Sequence, residues 1–566
     1  MSKSLKLYTS LVILISIMTI TFTIYYGKVH HATPISSNTS DKYWLTVILL
    51  PLDSRPPCTQ FVEELANIAG IKLLLPQPEL LDDYKTPSKK EALRVWLSQA
   101  SKQADAAIIS IDMLIHGSLI ASRLSLGTAN DSEDVLNLLA AVHLDNPNFK
   151  MYVFNIIPRL LIADSRENAS YQKDMFKYSI LKDQVYTFEN IEDIKKLATL
   201  EKRIPANIIS HYTSLYEQNA ALNSVLMDMV EQGILSGLVI GQDDGQPFGI
   251  PNINKQKLQH QLLQKPALAD KVFITRGTDE VAVTLLGHII MKLSNYQPHI
   301  FVTYSTDEGP QITMPYMPNT VATTVEEKIN IAGGLQVDHA DQADFILYIH
   351  VGTQKNKSTL KPTAQKLKSL MDQGYRVALV DLTENFKMNE TLLPVLISEN
   401  VDLPKLIAYA GWNTTSNSIG TAITQACIFS KVLNTQNHLP ELVKLYKENL
   451  EFLTARFLDD VYYQKEVNPY INKQLQQNHI DPYNLGSSYY QTNYKIQKLM
   501  FSKGRHLLNE ALYNRPITLE TNHGPQKIII TDLTIKTYLP WHRTFEIWLK
   551  PLLSLGIINE WENEQW

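Results

Sequence analysis

Ten short apolar runs, each leading into a polar motif, constrain this chain more than any other feature. They are TVILLPLD (46–53), IKLLLP (71–76), AAIISIDML (106–114), KMYVFNIIPR (150–159) and GLVIGQDD (237–244), followed by VFITRGTDE (272–280), HIFVTYST (299–306), FILYIHVGT (345–353), RVALVDLTE (376–384) and LIAYAGWNT (406–414). Uninterrupted Val, Ile and Leu describe strands buried on both faces, which belong to parallel sheets covered by helices. Segments of helical character stand between many of them, such as KKEALRVWLSQASKQ and KPTAQKLKSLMDQG. That alternation predicts an α/β fold. The favoured arrangement of these β/α repeats is TIM-barrel-like, with extra strands and a helix-rich insertion over 161–233. The alternative is two doubly wound sheets facing each other and dividing near Asn295. Beyond 434 the chain turns helical and rich in Gln, Asn and Tyr. KIIITDLTIKTYLPWHRTFEIWLKP then alternates like antiparallel strands. The expected units are an anchor and linker (1–41), an α/β core of catalytic type (42–433) and a helical and small β region (434–566).

Lys3 and Lys6 precede the uncharged run Leu7 to Tyr26. Roughly 20 apolar residues span a bilayer core as a helix, and flanking positive charge stays on the cytoplasmic side. The run is long for a secretory signal and lacks an A-x-A site. A single-pass signal anchor is therefore expected, with the bulk of the chain extracytoplasmic; secretion after cleavage is the alternative. His30 to Asp41 reads as a linker. A net charge of −5 argues against a nucleic-acid binder. Two cysteines, Cys58 and Cys427, cannot form a disulfide framework and read as separate buried thiols.

The polar motifs fall at the carboxyl ends of the expected strands, where α/β folds build their sites. Asp243 and Asp244 are the sharpest case. Adjacent carboxylates at a buried strand end repel, so one retains its proton while the other stays charged. That supplies an acid and an anion, as glycoside hydrolysis requires. Asp53 and Arg55 pair or clamp a ligand, and Asp112, Arg123 and Arg159 join them as binding candidates. GWNTTSNSIGTAI adds Trp412, Asn413 and Asn417, an aromatic face and amides suited to a sugar. Asp279-Glu280 reads as charge complementary to the start of the next helix, and Trp541-His542-Arg543 as packing. His116 and His350 lack metal-ligand spacing. No nucleotide-binding or zinc-protease motif is present, and no cofactor or metal is expected for the main reading.

LLPLDSRPPC, DMLIHGSLIASR, GQDDGQPFG, TRGTDEVA and GWNTTSNSIGTAI, in that order and with the closing LPWHRTFEI, resemble domain of unknown function family 4127, an uncharacterised bacterial family. The resemblance runs from about Tyr43 to about Ile547. The chain departs from the family pattern at Cys58 and at Ile115-His116-Gly117, which removes Cys58 and His116 as catalytic candidates. The Asp-Asp loop is also locally similar to the paired aspartates of retaining N-acetylhexosaminidases. The expectation is a glycoside hydrolase of the envelope acting on an amino-sugar-containing glycan. Asp243 and Asp244 are its catalytic pair. Two alternatives stand beside it: a Mg- or Ca-dependent phosphoester or amide hydrolase, and a non-catalytic glycan-binding envelope protein.

Overall fold

The computed structural model describes residues 32–34, 43–123, 129–161, 169–354 and 357–558. All ten apolar runs contain strands. Six form the first sheet: β2 (Leu45–Leu50), β3 (Ile71–Leu74), β4 (Ala106–Ser110), β5 (Lys150–Ile157), β6 (Gly237–Gln242) and β7 (Val272–Arg276). They lie in the order β3-β2-β4-β5-β6-β7, every neighbouring pair parallel. The second sheet holds β8 (His299–Tyr304), β9 (Leu335–Val337), β10 (Phe345–Gly352), β11 (Val377–Thr383) and β12 (Ala408–Ala410). Its order is β12-β11-β10-β8-β9, again all parallel. The short, solvent-facing β9 carries no apolar run and so gave no signal in the sequence.

These sheets are open, which corrects the TIM-barrel-like expectation. A barrel adds each strand on the same side of the last until the first is met. Here β3 and β4 flank β2 on opposite sides, and β9 and β10 flank β8 likewise. Each sheet reverses its winding, is covered on both faces and keeps two free edges. The boundary between the halves falls where the alternative reading placed it, near Asn295.

Among the helices, α1 (Gln60–Ile68) follows β2. α2 (Gln172–Phe188), α3 (Ile191–Arg203), α4 (Ala206–Glu231) and α5 (Ile250–Leu263) surround β6, and the first three form the expected insertion. α6 (Val281–Leu293) leads from β7 to the second half, whose helices include α7 (Val321–Ala332) and α8 (Thr415–Leu433). Alternate residues of one strand face different layers. Val47 and Leu49 join a central core with α6, α8, Leu347 and Ile349, so both sheets share one apolar layer. Ile48 and Leu50 face an outer layer with α4 and α5. Each fully buried Leu or Ile contributes about 1.5–3 kcal/mol, which explains why these strands read as continuous apolar runs.

The C-terminal region packs on the outer face of the second sheet. α9 (Leu439–Arg456) begins it, and an antiparallel sheet of β13 (Ile517–Thr521), β14 (Gly524–Tyr538) and β15 (Trp548–Ile558) ends it. β1 (Ala32–Pro34) pairs with Gly556–Ile558 at the sheet edge. Part of the expected linker is therefore a strand. The run Leu7 to Tyr26 lies outside the described residues. Among the described residues no helix is long and apolar enough to cross a membrane.

Candidate functional site

Strand order reverses around β2, and the region beyond the carboxyl ends of β2 and β4 is the usual place for a ligand in such sheets. The loops after β2, β4, β5, β6 and β7 converge there. Asp53 and Arg55 meet first: Arg55 Nε donates to Asp53 Oδ1 at 3.0 Å and Nη2 to Oδ2 at 2.6 Å. The same Nη2 reaches Asp279 Oδ1 at 2.7 Å. All three side chains are buried. Burial opposes the Asp53 charge, but the charge and hydrogen bonds of Arg55 outweigh it and hold the carboxyl below its usual range. Burial pushes Asp279 the other way, helped by the charges of Asp53 and Glu280.

The Asp-Asp loop forms the more open side. Arg123 Nε donates to Asp243 Oδ2 at 2.7 Å, and Asp243 Oδ1 accepts the Asp244 N–H at 2.9 Å. Both carboxylate oxygens of Asp243 are thus engaged. Asp244 points outward, its side chain 41% exposed, with Arg159 Nη1 at 3.8 Å from Oδ2. Partial desolvation and the neighbouring Asp243 charge raise its carboxyl to about 6, against the pull of Arg123 and Arg159. Asp112 lies beneath, accepting the Ile156 N–H at 2.9 Å. Burial raises it to about 7, and Asp243 adds to the shift.

The second half supplies the seam. From the start of α8, Asn417 Nδ2 approaches Asp279 Oδ2 at 3.5 Å and Ser416 Oγ donates to Glu280 Oε1 at 2.8 Å. Lys328 of α7 meets the same Glu280 oxygen at 2.6 Å, both groups fully buried. Gly277, at φ +90°, lets Ser416 and Glu280 approach the β7 loop; a Cβ there would overlap both side chains. Asp279-Glu280 is therefore part of the interface between the halves and more than a helix-end charge.

Eight of the ten residues chosen from sequence join this cluster: Asp53, Arg55, Asp112, Arg123, Arg159, Asp243, Asp244 and Asn417. Trp412 does not. Only 7% exposed, it packs edge-on against Phe61 at 5.6 Å in the shared core, which leaves no face for a sugar. Asn413 lines a separate crevice at the end of the second sheet, beside Thr383 and Phe386.

Three residues near the cluster, Glu546, Asp82 and Lys255, escaped the sequence reading, and a fourth, Trp541, was read as packing alone. Glu546 lies 3.7 Å from Arg55 Nη1. Trp541 Nε1 donates to Ser54 Oγ at 3.0 Å, bringing LPWHRTFEI onto the first motif. Asp82 Oδ1 accepts the Ser54 N–H at 2.7 Å, and burial with the Asp53 charge lifts its carboxyl to about 8. Lys255 Nζ donates to Gln242 Oε1 at 2.9 Å, at the root of the Asp-Asp loop. The order of family motifs and the acidic LLDDY after β3 were the signals available.

Among the described residues, one group of three side chains comes within ligand-sharing distance of a cation: Asp53, Cys58 and Asp279. Arg55 Nη2 already bridges its two carboxylates, and burial raises the Cys58 thiol well above its usual range. Such a donor set fits a guanidinium better than a metal. Both cysteines are free and buried. His350 is buried against the Glu390 carbonyl at 3.0 Å.

The family model described as protein of unknown function (DUF4127) matches residues 47–550, so the chain belongs to that family. No curated protein matches the chain.

Proposed function

We propose that this family member is an extracytoplasmic glycoside hydrolase acting on an amino-sugar-containing glycan, with Asp244 as general acid. One observation carries the reading. A partly exposed carboxyl, raised to about 6, stands beside a carboxylate whose oxygens are both occupied. Asp244 is placed to protonate a glycosidic oxygen as the C–O bond breaks. Asp243, committed to Arg123 and the Asp244 N–H, acts as the fixed charge that holds the Asp244 proton. It is a poor nucleophile in that state. The acetamido oxygen of the substrate itself then attacks the anomeric carbon, and water resolves the intermediate, giving its proton to the Asp244 carboxylate.

The test is release of reducing ends from purified cell-wall glycan by the full-length protein. The whole chain is needed because β1 precedes residue 42. Asp244→Asn should lower turnover about 10²–10⁴-fold, the usual worth of a general acid. Since the acid must be protonated, wild-type activity should fall as pH rises through about 6. Full activity in Asp244→Asn sinks the assignment. Loss of activity with a chelator would favour the metal-dependent hydrolase. Binding without turnover would favour the non-catalytic protein.

A further inference from the structure

Arg159 and Asp244 are the least satisfied charged groups of the cluster, sharing one 3.8 Å contact. Arg159 follows β5 and Pro158, and the insertion fixes its backbone. Tyr216 Oη donates to the Arg159 carbonyl at 2.7 Å, and Tyr212 Oη to the Leu160 carbonyl at 2.7 Å. Asn219 Nδ2 holds the Ile156 carbonyl at 2.8 Å. All three donors lie on α4, so one helix clamps the strand end at three points. The guanidinium itself is left open. Among the described residues its Nε is buried with no hydrogen-bond partner, and its ion contact is the 3.8 Å approach to Asp244. Its neighbour Arg123 is committed to Asp243.

A guanidinium carries five N–H donors in a flat fork that matches a carboxylate or phosphate. Leaving such donors unpaired in a partly buried position is costly unless a ligand takes them. We infer that Arg159 receives an anionic group carried by the substrate, so that the preferred glycan is acidic. The inference rests on reading the Asp-Asp loop as the active site. It names the substrate class that this site selects. Carboxylate and phosphate substituents share the chemistry. An anion seated on Arg159 also withdraws the cation nearest Asp244, which favours the protonated acid at the moment the substrate arrives.

Calorimetric titration of the full-length Asp244→Asn protein tests this without turnover. The probes are three oligosaccharides of one backbone: carboxylated, phosphorylated and carboxyl-reduced. An anionic probe should bind at least tenfold tighter than the neutral one, less so as salt rises. Arg159→Gln in the same background should erase that preference, the loss of affinity falling on the anionic probes. Arg159→Lys, which keeps charge without the fork, should restore part of it. A stronger preference for the phosphorylated probe would keep the site and identify the anion as phosphate. Equal affinity for all three probes, no binding of any, or a preference that survives Arg159→Gln overturns the inference. Wild-type turnover is measured separately. Preference without turnover would sink the hydrolase reading and leave the anion site standing; turnover without preference would do the reverse.

Discussion

The two halves share a winding, yet their strand ends do opposite things. In sequence order, the first five strands of the first sheet and the five of the second both lie 2-1-3-4-5. Both end strands in acids. In the second half Asp381 is fully buried and spoken for: its carboxylate accepts from Tyr409 Oη at 2.8 Å, the Leu392 N–H at 2.9 Å and Thr391 Oγ1. Nearby, Asp460 accepts the Gly411 N–H at 2.7 Å and pairs with Arg456. In the first half Asp244 reaches solvent and, among the described residues, Arg159 keeps an unpaired donor. An acid at a strand end is therefore no indication of a site on its own. What differs is exposure: Asp381 and Asp460 are enclosed among their partners, whereas Asp244 is open to solvent.

Three perturbations test that contrast, from the largest effect to the smallest. Lys328→Met would leave Glu280 charged and buried at the seam, a loss of about 3–5 kcal/mol in chemical denaturation. Adding Glu280→Gln should recover much of it. A loss below about 1 kcal/mol for the single change would mean the halves do not depend on this pair. Asp381→Ala strips an acceptor from three buried donors and should cost about 3 kcal/mol. Asp244→Asn, at the exposed position, should cost no stability at neutral pH and should if anything raise it, because the fold disfavours the ionised carboxyl. Equal losses at 381 and 244 would erase the distinction between an enclosed and an open strand-end acid.

A further test is a pH slope. Asp82 sits at about 8 when folded against an ordinary value of 3.8. Its contribution to stability is complete below pH 4 and is lost as pH rises through about 8. The wild-type melting temperature should thus decline between pH 5 and 9, and Asp82→Asn should flatten the decline. An unchanged slope would show that Asp82 is ionised in the fold.

Much of this was legible in advance, for identifiable reasons. All ten long runs became strands; β4, β6, β10 and β11 are buried throughout, and burial writes itself into consecutive apolar residues, while β3 and β8 are only partly covered. The strand-end acids and arginines of the first half were legible because they follow those runs directly. Trp412 was misplaced because a residue beside a polar loop carries no mark of which way its ring turns. Glu546 and Trp541 were missed as neighbours of the site because Trp541 meets Ser54 across 487 positions of chain. No local pattern records such a distance.

The sequence by itself determined the α/β class, the strands, the family motifs and the acid pair, all of which depend on residues near one another in the chain. Only the tertiary structure decided between barrel and paired open sheets, because strand order depends on which side of its neighbour each crossover lands. It alone also decided which polar groups are satisfied. That depends on partners from distant elements: Tyr212 and Tyr216 fix the Arg159 loop from an inserted helix, and among the described residues no partner reaches the Arg159 Nε.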